Sequence, residues 1–536
     1  MLKVARKQYR VKCSNMDNIY ASQRYFSVKH IINNPLHWCL VLVASILLLR
    51  LASLGLYPLF DTTEARYGEI ARIMFETQNW VTPQFDYNEP FWGKPPMHTW
   101  LTAMSFSWFG VSEFSARLPH FACGLVTLLM VYHFASSFIT PERVSASRTA
   151  LLAVVILSSS LGFIVASGMV MTDSALLCVT TLAMISYWYC YTAANKLWGL
   201  VFFGALGLGM LVKGPVAIVI TGIALVTWSI SQGQFKKAIR CLPWRQGMGV
   251  FLAVCLPWYI WAEVRTPGFV EYFILGEHFQ RFLVPGWSGD LYGSAHDQPK
   301  GMIWVFWLGA AFPWSFILIA LAGKRLIKRI FSLNSTKKAA HTHTDSQSYQ
   351  TASPPINSLQ KNAQPTNVAG INAYLIAWML APMLLFTLAG NILSAYVLPG
   401  FSAMALLLAR QRNISLATNL FASLTLLVML VVLTSYSLGL TTKSTAADLL
   451  GKDRSFQQET ALFYWQKRPF SARFYSKGQA QLITQHAELS NLLAMRSTFL
   501  LVFQHHALTK LEQEFKLSKN CIELKQTSER LMLQCF

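Results

Sequence analysis

The chain has 536 residues, of which 53% are hydrophobic and only 13% are charged. Soluble domains carry about a quarter charged residues, so the composition excludes a soluble protein and predicts an integral membrane protein. The net charge of +21 does not indicate nucleic-acid binding, because the basic residues cluster in short loops between apolar segments. That distribution is typical of cytoplasmic loops under the positive-inside rule, and no nucleic-acid partner is expected.

Long, continuous apolar segments recur along the chain and favour helices over a β-barrel, whose strands would alternate apolar and polar residues. A helix needs about 20 residues to cross the hydrocarbon of a bilayer, and most of the segments approach that length. The predicted spans are 37–59, 114–139, 149–167, 174–193, 197–212, 214–230, 247–262, 301–322, 371–388, 396–410 and 414–438. We therefore predict an all-α polytopic membrane protein with about 11–13 transmembrane helices.

Polar segments flank and interrupt the transmembrane part. Residues 1–35 are basic and polar without a signal-peptide cleavage pattern, so we expect a cytoplasmic N-terminal segment. Residues 36–440 hold the predicted spans and form the transmembrane domain. Within it, residues 331–369 are rich in Ser, Thr, Asn, Gln and Pro, which is typical of a disordered insert, here on the cytoplasmic face.

Three segments are predicted on the outer face, opposite the N-terminus. Residues 61–113 form a first loop with amphipathic, interfacial helices, and residues 263–300 form a second large loop. Residues 441–536 mix polar segments with strand-like stretches and predict a small α+β domain. An odd number of spans puts this domain on the outer face, where Cys521 and Cys535 could form a disulfide.

Three charged residues, Asp61, Glu64 and Arg66, follow directly on the first apolar segment. Charges near lipid are costly, so functional use is the expectation. The alternative is a helix start in which Asp61 is the N-cap and Glu64 completes a capping box. Lys94 precedes two prolines and is a candidate phosphate-binding residue; the alternative is a snorkelling anchor at the interface.

The second outer loop carries Glu277, His278 and Arg281. If residues 271–283 are helical, Glu277 and Arg281 lie one turn apart and could simply pair with each other. His278 and the nearby acids could hold a divalent metal, although their spacing fits no tight ligand motif. The sequence requires no other cofactor.

Further ionisable residues stand at the outer ends of predicted spans. Asp173 begins the fourth span and could cap it, Lys213 stands between two apolar segments, and Tyr396 could belong to the aromatic belt. Each has a structural alternative, but all of them gather on the face that also carries Asp61, Lys94 and Arg281. This sidedness predicts an outward-facing site that can draw an amphiphilic phosphate from the bilayer.

Six short motifs occur in a familiar order. They are Asp-x-Thr-Glu-x-Arg-Tyr at 61–67, Gly-Lys-Pro-Pro at 93–96, Met-Thr-Asp at 171–173, Lys-Gly-Pro at 213–215, Glu-His-Phe-Gln-Arg-Phe at 277–282 and Tyr-Val-Leu-Pro at 396–399. Together they resemble the GT-C fold glycosyltransferases related to protein O-mannosyltransferases. The branch that they resemble most is the bacterial 4-amino-4-deoxy-L-arabinose lipid A transferases, over roughly residues 36–410.

The resemblance implies an enzyme of the bacterial inner membrane whose active site faces the periplasm. It would move a sugar, such as an aminopentose, from undecaprenyl phosphate to lipid A or another envelope acceptor. The protein would be surrounded by membrane lipid. The candidate catalytic residues are Asp61, Asp173 and Glu64. The candidate carrier-phosphate ligands are Lys94, Arg281, Arg66, Tyr396 and Lys213. His278 falls at a metal-binding position.

One departure concerns the metal. Family members often read Phe-Glu-Lys-Pro where this chain reads Trp92-Gly93-Lys94-Pro95. The missing glutamate weakens the metal interpretation and leaves the sugar open.

The acceptor also stays open, because a protein Ser/Thr or a polysaccharide would suit the same donor. A lipid-linked sugar transporter is an alternative from another class, but the sequence shows no repeat of half-transporter size.

Overall fold

The computed structural model describes residues 35–137, 143–284, 287–292, 297–325, 327, 370–411, 414–440, 445–450, 460–495 and 497–536. The predicted insert 331–369 and residues 1–34 of the predicted N-terminal segment lie outside this part of the chain.

Up to residue 440, the regular secondary structure of the described residues is helical, apart from one short antiparallel hairpin. In chain order the elements are α1 (Pro35–Ser53), α2 (Thr63–Thr77), β1 (Gln84–Asp86), β2 (Glu89–Pro90), α3 (Met97–Phe109), α4 (Glu113–Ser136), α5 (Arg143–Ser158), α6 (Leu161–Ala166), α7 (Thr172–Ala193), α8 (Lys196–Lys213), α9 (Val216–Ser231), α10 (Phe235–Arg240), α11 (Trp244–Arg265), a π-helix (Glu271–Gln280), α12 (Arg281–Leu283), α13 (Met302–Ala310), α14 (Trp314–Arg325), α15 (Ile371–Phe386), a 3-10 helix (Ser394–Gly400), α16 (Phe401–Ala409) and α17 (Ser415–Ser437).

Every predicted span contains a helix, so the prediction of a multi-pass, all-α membrane protein is confirmed. In the part of the chain that the structure describes, five helices are long and apolar enough to cross a bilayer alone, and several shorter apolar helices accompany them. Three predicted spans are not single α-helices. Span 149–167 breaks between α5 and α6, span 301–322 bends by 110° between α13 and α14, and span 396–410 starts in the 3-10 helix and continues as α16. Pro313 lies at the second break, and a proline cannot continue a helical hydrogen-bond ladder.

The transmembrane core is built around α7, which packs against α4, α8 and the 3-10 helix. Its aromatic centre joins α7 to α9 and α15, because the rings of Tyr187 and Tyr374 stack at 6.2 Å and Trp228 lies 5.2 Å from Tyr374. The hydroxyl of Tyr374 donates to the carbonyl of Met184 at 2.6 Å, which satisfies its buried polar group. This aromatic cluster therefore holds the C-terminal half of α7 against α9 and α15.

The first outer loop folds against the rest of the molecule. The amphipathic helix expected from Arg66 onward is present as α2, but most of its residues are buried rather than laid on a surface. Its charged face is satisfied internally, since Arg72 pairs with Glu69 at 2.7 Å and also with Glu76. We therefore regard α2 as a packed element that presents its first turn, Thr63 to Tyr67, to the interior.

Residues after 445 form the predicted small α+β domain, whose presence is confirmed. Its elements are α18 (Ala446–Leu450), β3 (Ala461–Trp465), α19 (Phe470–Tyr475), β4 (Ala480–Ile483), α20 (His486–Ala494), β5 (Phe499–Gln504), a 3-10 turn (His505–Ala507), α21 (Leu508–Phe515), α22 (Leu517–Asn520), β6 (Cys521–Gln526) and β7 (Arg530–Cys535). The strand order is β4-β3-β5-β7-β6, with β3 parallel to β4 and β5 and the other pairs antiparallel. A disulfide joins Cys521 to Cys535 across β6 and β7.

Candidate active site

A cavity of about 520 Å³ lies where the outer ends of α7 and α8 meet α2, α13 and the 3-10 helix. Its polar lining residues are Arg66, Lys94, Asp173, Lys213, Arg281 and Tyr396. Its apolar lining residues include Leu161, Val165, Met169, Val305, Phe306 and Leu398. Six of the residues singled out in the sequence therefore share one cavity, with four cationic side chains and one carboxylate among them.

A second, smaller cavity of about 220 Å³ adjoins the first. Arg66, Tyr67, Lys94 and Arg281 line both cavities, so the two spaces meet along these side chains. The second cavity adds two carboxylates, Glu277 and Asp290, together with the rings of Tyr292 and Phe470. Three cations, Arg66, Lys94 and Arg281, thus lie where the larger cavity, which has many apolar lining residues, meets the smaller polar one.

Glu277 holds two of the cations. Its carboxylate lies 3.1 Å from Lys94 Nζ and accepts two hydrogen bonds from Arg281 Nη1 at 3.0 and 3.1 Å. Arg281 also lies 3.4 Å from Asp290. Burial by itself would raise the pKa of Glu277, but the charges of Lys94 and Arg281 outweigh it and leave this pKa below its ordinary value. Glu277 is therefore ionised and keeps both cations aimed at the cavities.

The predicted pairing of Glu277 with Arg281 is present, on a π-helix followed by the short α12. The sequence did not indicate that Lys94, 183 residues away, shares this carboxylate. Such π-helical turns are frequent at functional sites.

Asp173 and Lys213 form the second charged unit. Lys213 Nζ donates to Asp173 Oδ1 at 2.6 Å and lies 4.3 Å from the ring centre of Tyr396. Asp173 is in the first turn of α7 and not at its N-cap, where the residue is Met171. A carboxylate in that turn is favoured by the helix dipole, while Lys213 ends α8 and so complements the opposite pole.

Gly214 explains why the chain turns sharply after Lys213. Its φ is +76°, and an added Cβ would lie 2.7 Å from the Phe273 ring and 3.1 Å from His278. Only glycine adopts this conformation freely and leaves room for the ring. The Lys-Gly-Pro motif therefore sets the position of the Lys213 ammonium relative to Asp173.

Arg66 enters both cavities from α2. Its Nη1 donates to the carbonyl of Tyr292 at 2.7 Å, and its guanidinium lies 5.2 Å from the ring centre of Tyr67 and 6.0 Å from that of Phe470. Tyr292 in turn donates to the carbonyl of Pro90 and accepts from Trp92 N–H. The two outer loops are therefore joined beside Arg66.

Asp61 and Glu64 do not line these two cavities in the described part of the chain. Asp61 accepts from the backbone N–H of Ser471 at 3.0 Å and from the Ser471 hydroxyl. The capping-box interpretation of Asp61 is wrong, because the residue before α2 is Thr62 and it makes no side-chain cap. The Asp61 carboxylate accepts hydrogen bonds from Ser471, which is distant in sequence, and so does not cap α2.

Glu64 is the partner of Arg117. Both side chains are 0% exposed, and they form two hydrogen bonds of 2.7 and 2.9 Å. Glu64 also accepts from the backbone N–H groups of Phe60 and Val170, while Arg117 donates to three carbonyls of the segment 54–58. This arrangement joins α2, α4 and the turn after α1. Glu64 therefore holds the start of α2 in place without lining the two cavities.

His278 faces the backbone. Its Nδ1 lies 2.7 Å from the carbonyl of Phe273 and its Nε2 3.2 Å from that of Lys213. Burial lowers the pKa of this imidazole. Among the described residues, no group of three or more His, Cys, Asp and Glu side chains is placed to hold a metal ion. The ring fixes the turn after α8 through these two carbonyls.

Sequence reasoning missed three residues that shape the site. Neither Asp290 in the second loop nor Arg117 is singled out from the sequence. Arg117 lies in the predicted span 114–139, although a charge at a span end is itself a signal. Ser471 gave no signal, because its contact with Asp61 depends on how two distant segments fold together.

The arrangement suits an anion attached to an apolar chain. Cations fixed by neighbouring carboxylates and rings are preorganised, so they stabilise negative charge that develops on a phosphate oxygen. The apolar lining residues of the same cavity can hold a lipid tail, and within the described ranges Asp173 is the one carboxylate that lines this cavity.

Comparison with known proteins agrees with the order of the motifs. Residues 38–273 match the family model described as dolichyl-phosphate-mannose-protein mannosyltransferase. Undecaprenyl phosphate-alpha-4-amino-4-deoxy-L-arabinose arabinosyl transferase of Enterobacter sp. strain 638 is 25% identical over 418 residues, which are 75% of this chain and 66% of that protein. The Erwinia tasmaniensis protein of the same name is 28% identical over 67% of this chain and 57% of its own length. The chain therefore covers less than two thirds of the length of either relative.

Solved structures show the fold. ArnT from Cupriavidus metallidurans, in its crystal structure bound to undecaprenyl phosphate, superposes with a TM-score of 0.69 at 17% identity, over 93% of this chain and 98% of ArnT. The chain has the GT-C fold. The apo structure of the same ArnT gives a TM-score of 0.68. The GT-C fold and the likeness to mannosyl- and aminoarabinosyltransferases, both predicted from the motifs, are confirmed.

Proposed function

We propose that this chain is a membrane glycosyltransferase that takes a sugar from undecaprenyl phosphate and delivers it to lipid A or a related envelope glycolipid. The observation that carries the proposal is the cavity in which Arg66, Lys94, Lys213 and Arg281 face an apolar wall. A polyprenyl phosphate has the matching charge and tail. The names of the relatives, which specify undecaprenyl phosphate and an aminoarabinose, support the same donor.

The reaction exchanges one bond at the anomeric carbon of the sugar. The bond from that carbon to the phosphate oxygen breaks, and the phosphate keeps the electron pair. An acceptor oxygen forms the new bond and, if it is a hydroxyl, transfers its proton to the departing phosphate. Positive charge on the sugar and negative charge on the phosphate develop together, so cations beside the phosphate and a carboxylate beside the sugar both lower the barrier.

The residues divide accordingly. Lys94 and Arg281, held by Glu277, would bind the carrier phosphate with help from Arg66. Asp173 would face the sugar. It pairs with Lys213, whose ammonium group lies against the ring of Tyr396. Asp61 and Glu64 would act from outside the cavity, Asp61 through its contact with Ser471 and Glu64 through Arg117. No step requires a metal at His278.

We propose further that the protein lies in the bacterial inner membrane with this cavity facing the periplasm. The disulfide between Cys521 and Cys535 supports this orientation, because such bonds persist in the oxidising periplasm and are rare in the cytosol. The apolar helices support the membrane part. The domain after residue 441 would then lie on the same side as the cavity.

The deciding experiment is mass spectrometry of lipid A from a bacterium expressing this chain, from the same strain without it, and from a strain expressing the Lys94→Ala/Arg281→Ala variant. We expect a lipid A species heavier by one sugar only with the unaltered chain. Unchanged lipid A together with labelled protein or polysaccharide would move the proposal to those acceptors. Solute exchange in vesicles without any covalent product would replace it with a transporter.

A further inference from the structure

The domain after residue 445 contacts the candidate site through the short helix α19. Ser471, in this helix, is completely buried, and its N–H and hydroxyl both donate to the carboxylate of Asp61. The same hydroxyl accepts from the N–H of Ala446 at 3.3 Å. The preceding residue, Phe470, lines the smaller cavity beside Arg66.

Contacts on both sides of Ser471 hold α19 against the first outer loop. Arg473 donates to the carbonyl of Phe85 at 2.9 Å and lies 3.4 Å from the carboxylate of Asp86, which also pairs with Arg468. At the other end, the hydroxyl of Tyr475 accepts from Leu59 N–H at 2.8 Å and donates to Glu113 at 3.0 Å.

The helix α2 packs against both Leu59 and α19 at Gly68. A Cβ at this glycine would lie 2.7 Å from Leu59, which is too close, and in van der Waals contact with the Phe474 ring of α19 at 3.6 Å. Polar contacts and close packing therefore agree on one docked position for α19, and that position sets where α2 begins.

Asp61 lies two residues before α2, whose first turn carries Thr63, Arg66 and Tyr67 into both cavities. A carboxylate held at both oxygens cannot rotate, so the backbone entering that turn is fixed by the contact with Ser471. We propose that Ser471 is a positioning residue: by holding Asp61 it sets the first turn of α2, and the C-terminal domain is thereby a working part of the site. The inference deepens the proposed function and rests on it for its rate measurement.

The matched pair of variants is Ser471→Ala and Ser476→Ala in the full-length protein. Ser476 follows the same helix, but its hydroxyl bonds only within the C-terminal domain, to Arg473 and Ala480. Ser471→Ala removes the hydroxyl bond to a charged partner while the backbone N–H remains. We expect a loss in kcat of about tenfold, with a KM for the polyprenyl-phosphate sugar within about twofold of the wild-type value. Ser476→Ala should keep the wild-type rate.

Amide hydrogen exchange measured on the same proteins gives a readout that does not need transferase activity. Ser471→Ala should accelerate exchange within residues 60–67 and leave α7 and α8 unchanged, because local opening follows the loss of local contacts. Ser476→Ala should leave residues 60–67 protected.

Unchanged exchange at 60–67 in Ser471→Ala, or equal effects of the two variants, would overturn the inference. A wild-type protein without transferase activity but with the expected exchange pattern would count against the proposed function and leave the positioning role supported.

Discussion

Lys213 and Asp173 meet at 2.6 Å in the wall of the larger cavity, although 40 residues separate them in sequence. Lys213 ends α8 and Asp173 begins α7, so two antiparallel neighbours place opposite charges at the same depth. The Tyr396 ring lies against the ammonium and restricts it further. The geometry leaves the Asp173 carboxylate fixed at the border between the polar and apolar parts of the cavity.

Asp173→Ala should destabilise the protein and abolish transfer. Removing one partner of a buried ion pair leaves the other charge unpaired, which costs about 3–5 kcal/mol. The double variant Asp173→Asn/Lys213→Met should recover most of the thermal stability and none of the rate. Unfolding midpoints and initial rates of the two variants check this, and an active double variant would contradict a chemical role for the pair.

Lys94→Ala and Arg281→Ala should weaken binding of undecaprenyl phosphate about 10- to 100-fold each, because a hydrogen bond to a charged group contributes about 1.5–3 kcal/mol. Binding of the carrier to purified protein measures the change. Lys236→Ala, which alters an exposed cation of α10, is the control and should bind as the wild type does. Equal losses in all three variants would indicate a nonspecific charge effect.

Glu277 makes the stability of this region pH-dependent. Its pKa is lowered in the folded protein from an ordinary value of 4.5. The ionised carboxylate therefore stabilises the fold fully above about pH 4.5, and this contribution is lost as the pH falls through the lowered value. The unfolding midpoints of the wild type and Glu277→Gln should differ most near pH 7 and converge in acid. A gap that widens on acidification would show that the sign is wrong.

Glu64→Gln should act on folding before chemistry. Arg117 would keep its bonds to backbone carbonyls but lose its buried counter-charge, which costs several kcal/mol. We expect a lower yield of folded protein, while the fraction that folds keeps a KM for the donor close to the wild-type value. Size-exclusion profiles and rates normalised to folded protein test this. A well-folded but inactive variant would instead support the sequence-based prediction that Glu64 is a catalytic residue.

Much of the site followed from sequence because its residues stand at the ends of apolar segments. Asp173, Lys213 and Tyr396 had to lie at one membrane face once the spans were assigned, and the order of the motifs added Lys94 and Arg281. The α2 helix was likewise visible from its amphipathic spacing.

Other parts could not be derived from local pattern. The contact of Asp61 with Ser471 joins residues 410 apart, and the sharing of Glu277 between Lys94 and Arg281 depends on how two loops pack. The bend between α13 and α14 has a local signal, the proline at position 313. The apolar segment continues on both sides of this proline, and for that reason the sequence predicts one span.

Three apolar residues that line the larger cavity, Leu161, Val165 and Val305, are exposed, Val305 by 58%. Exposed apolar side chains of a membrane protein are expected to meet lipid. We therefore expect the donor and the acceptor to reach the cavity by lateral diffusion past these side chains. We expect turnover to follow their surface density in the leaflet, and dilution of the vesicles at constant lipid composition to leave it unchanged.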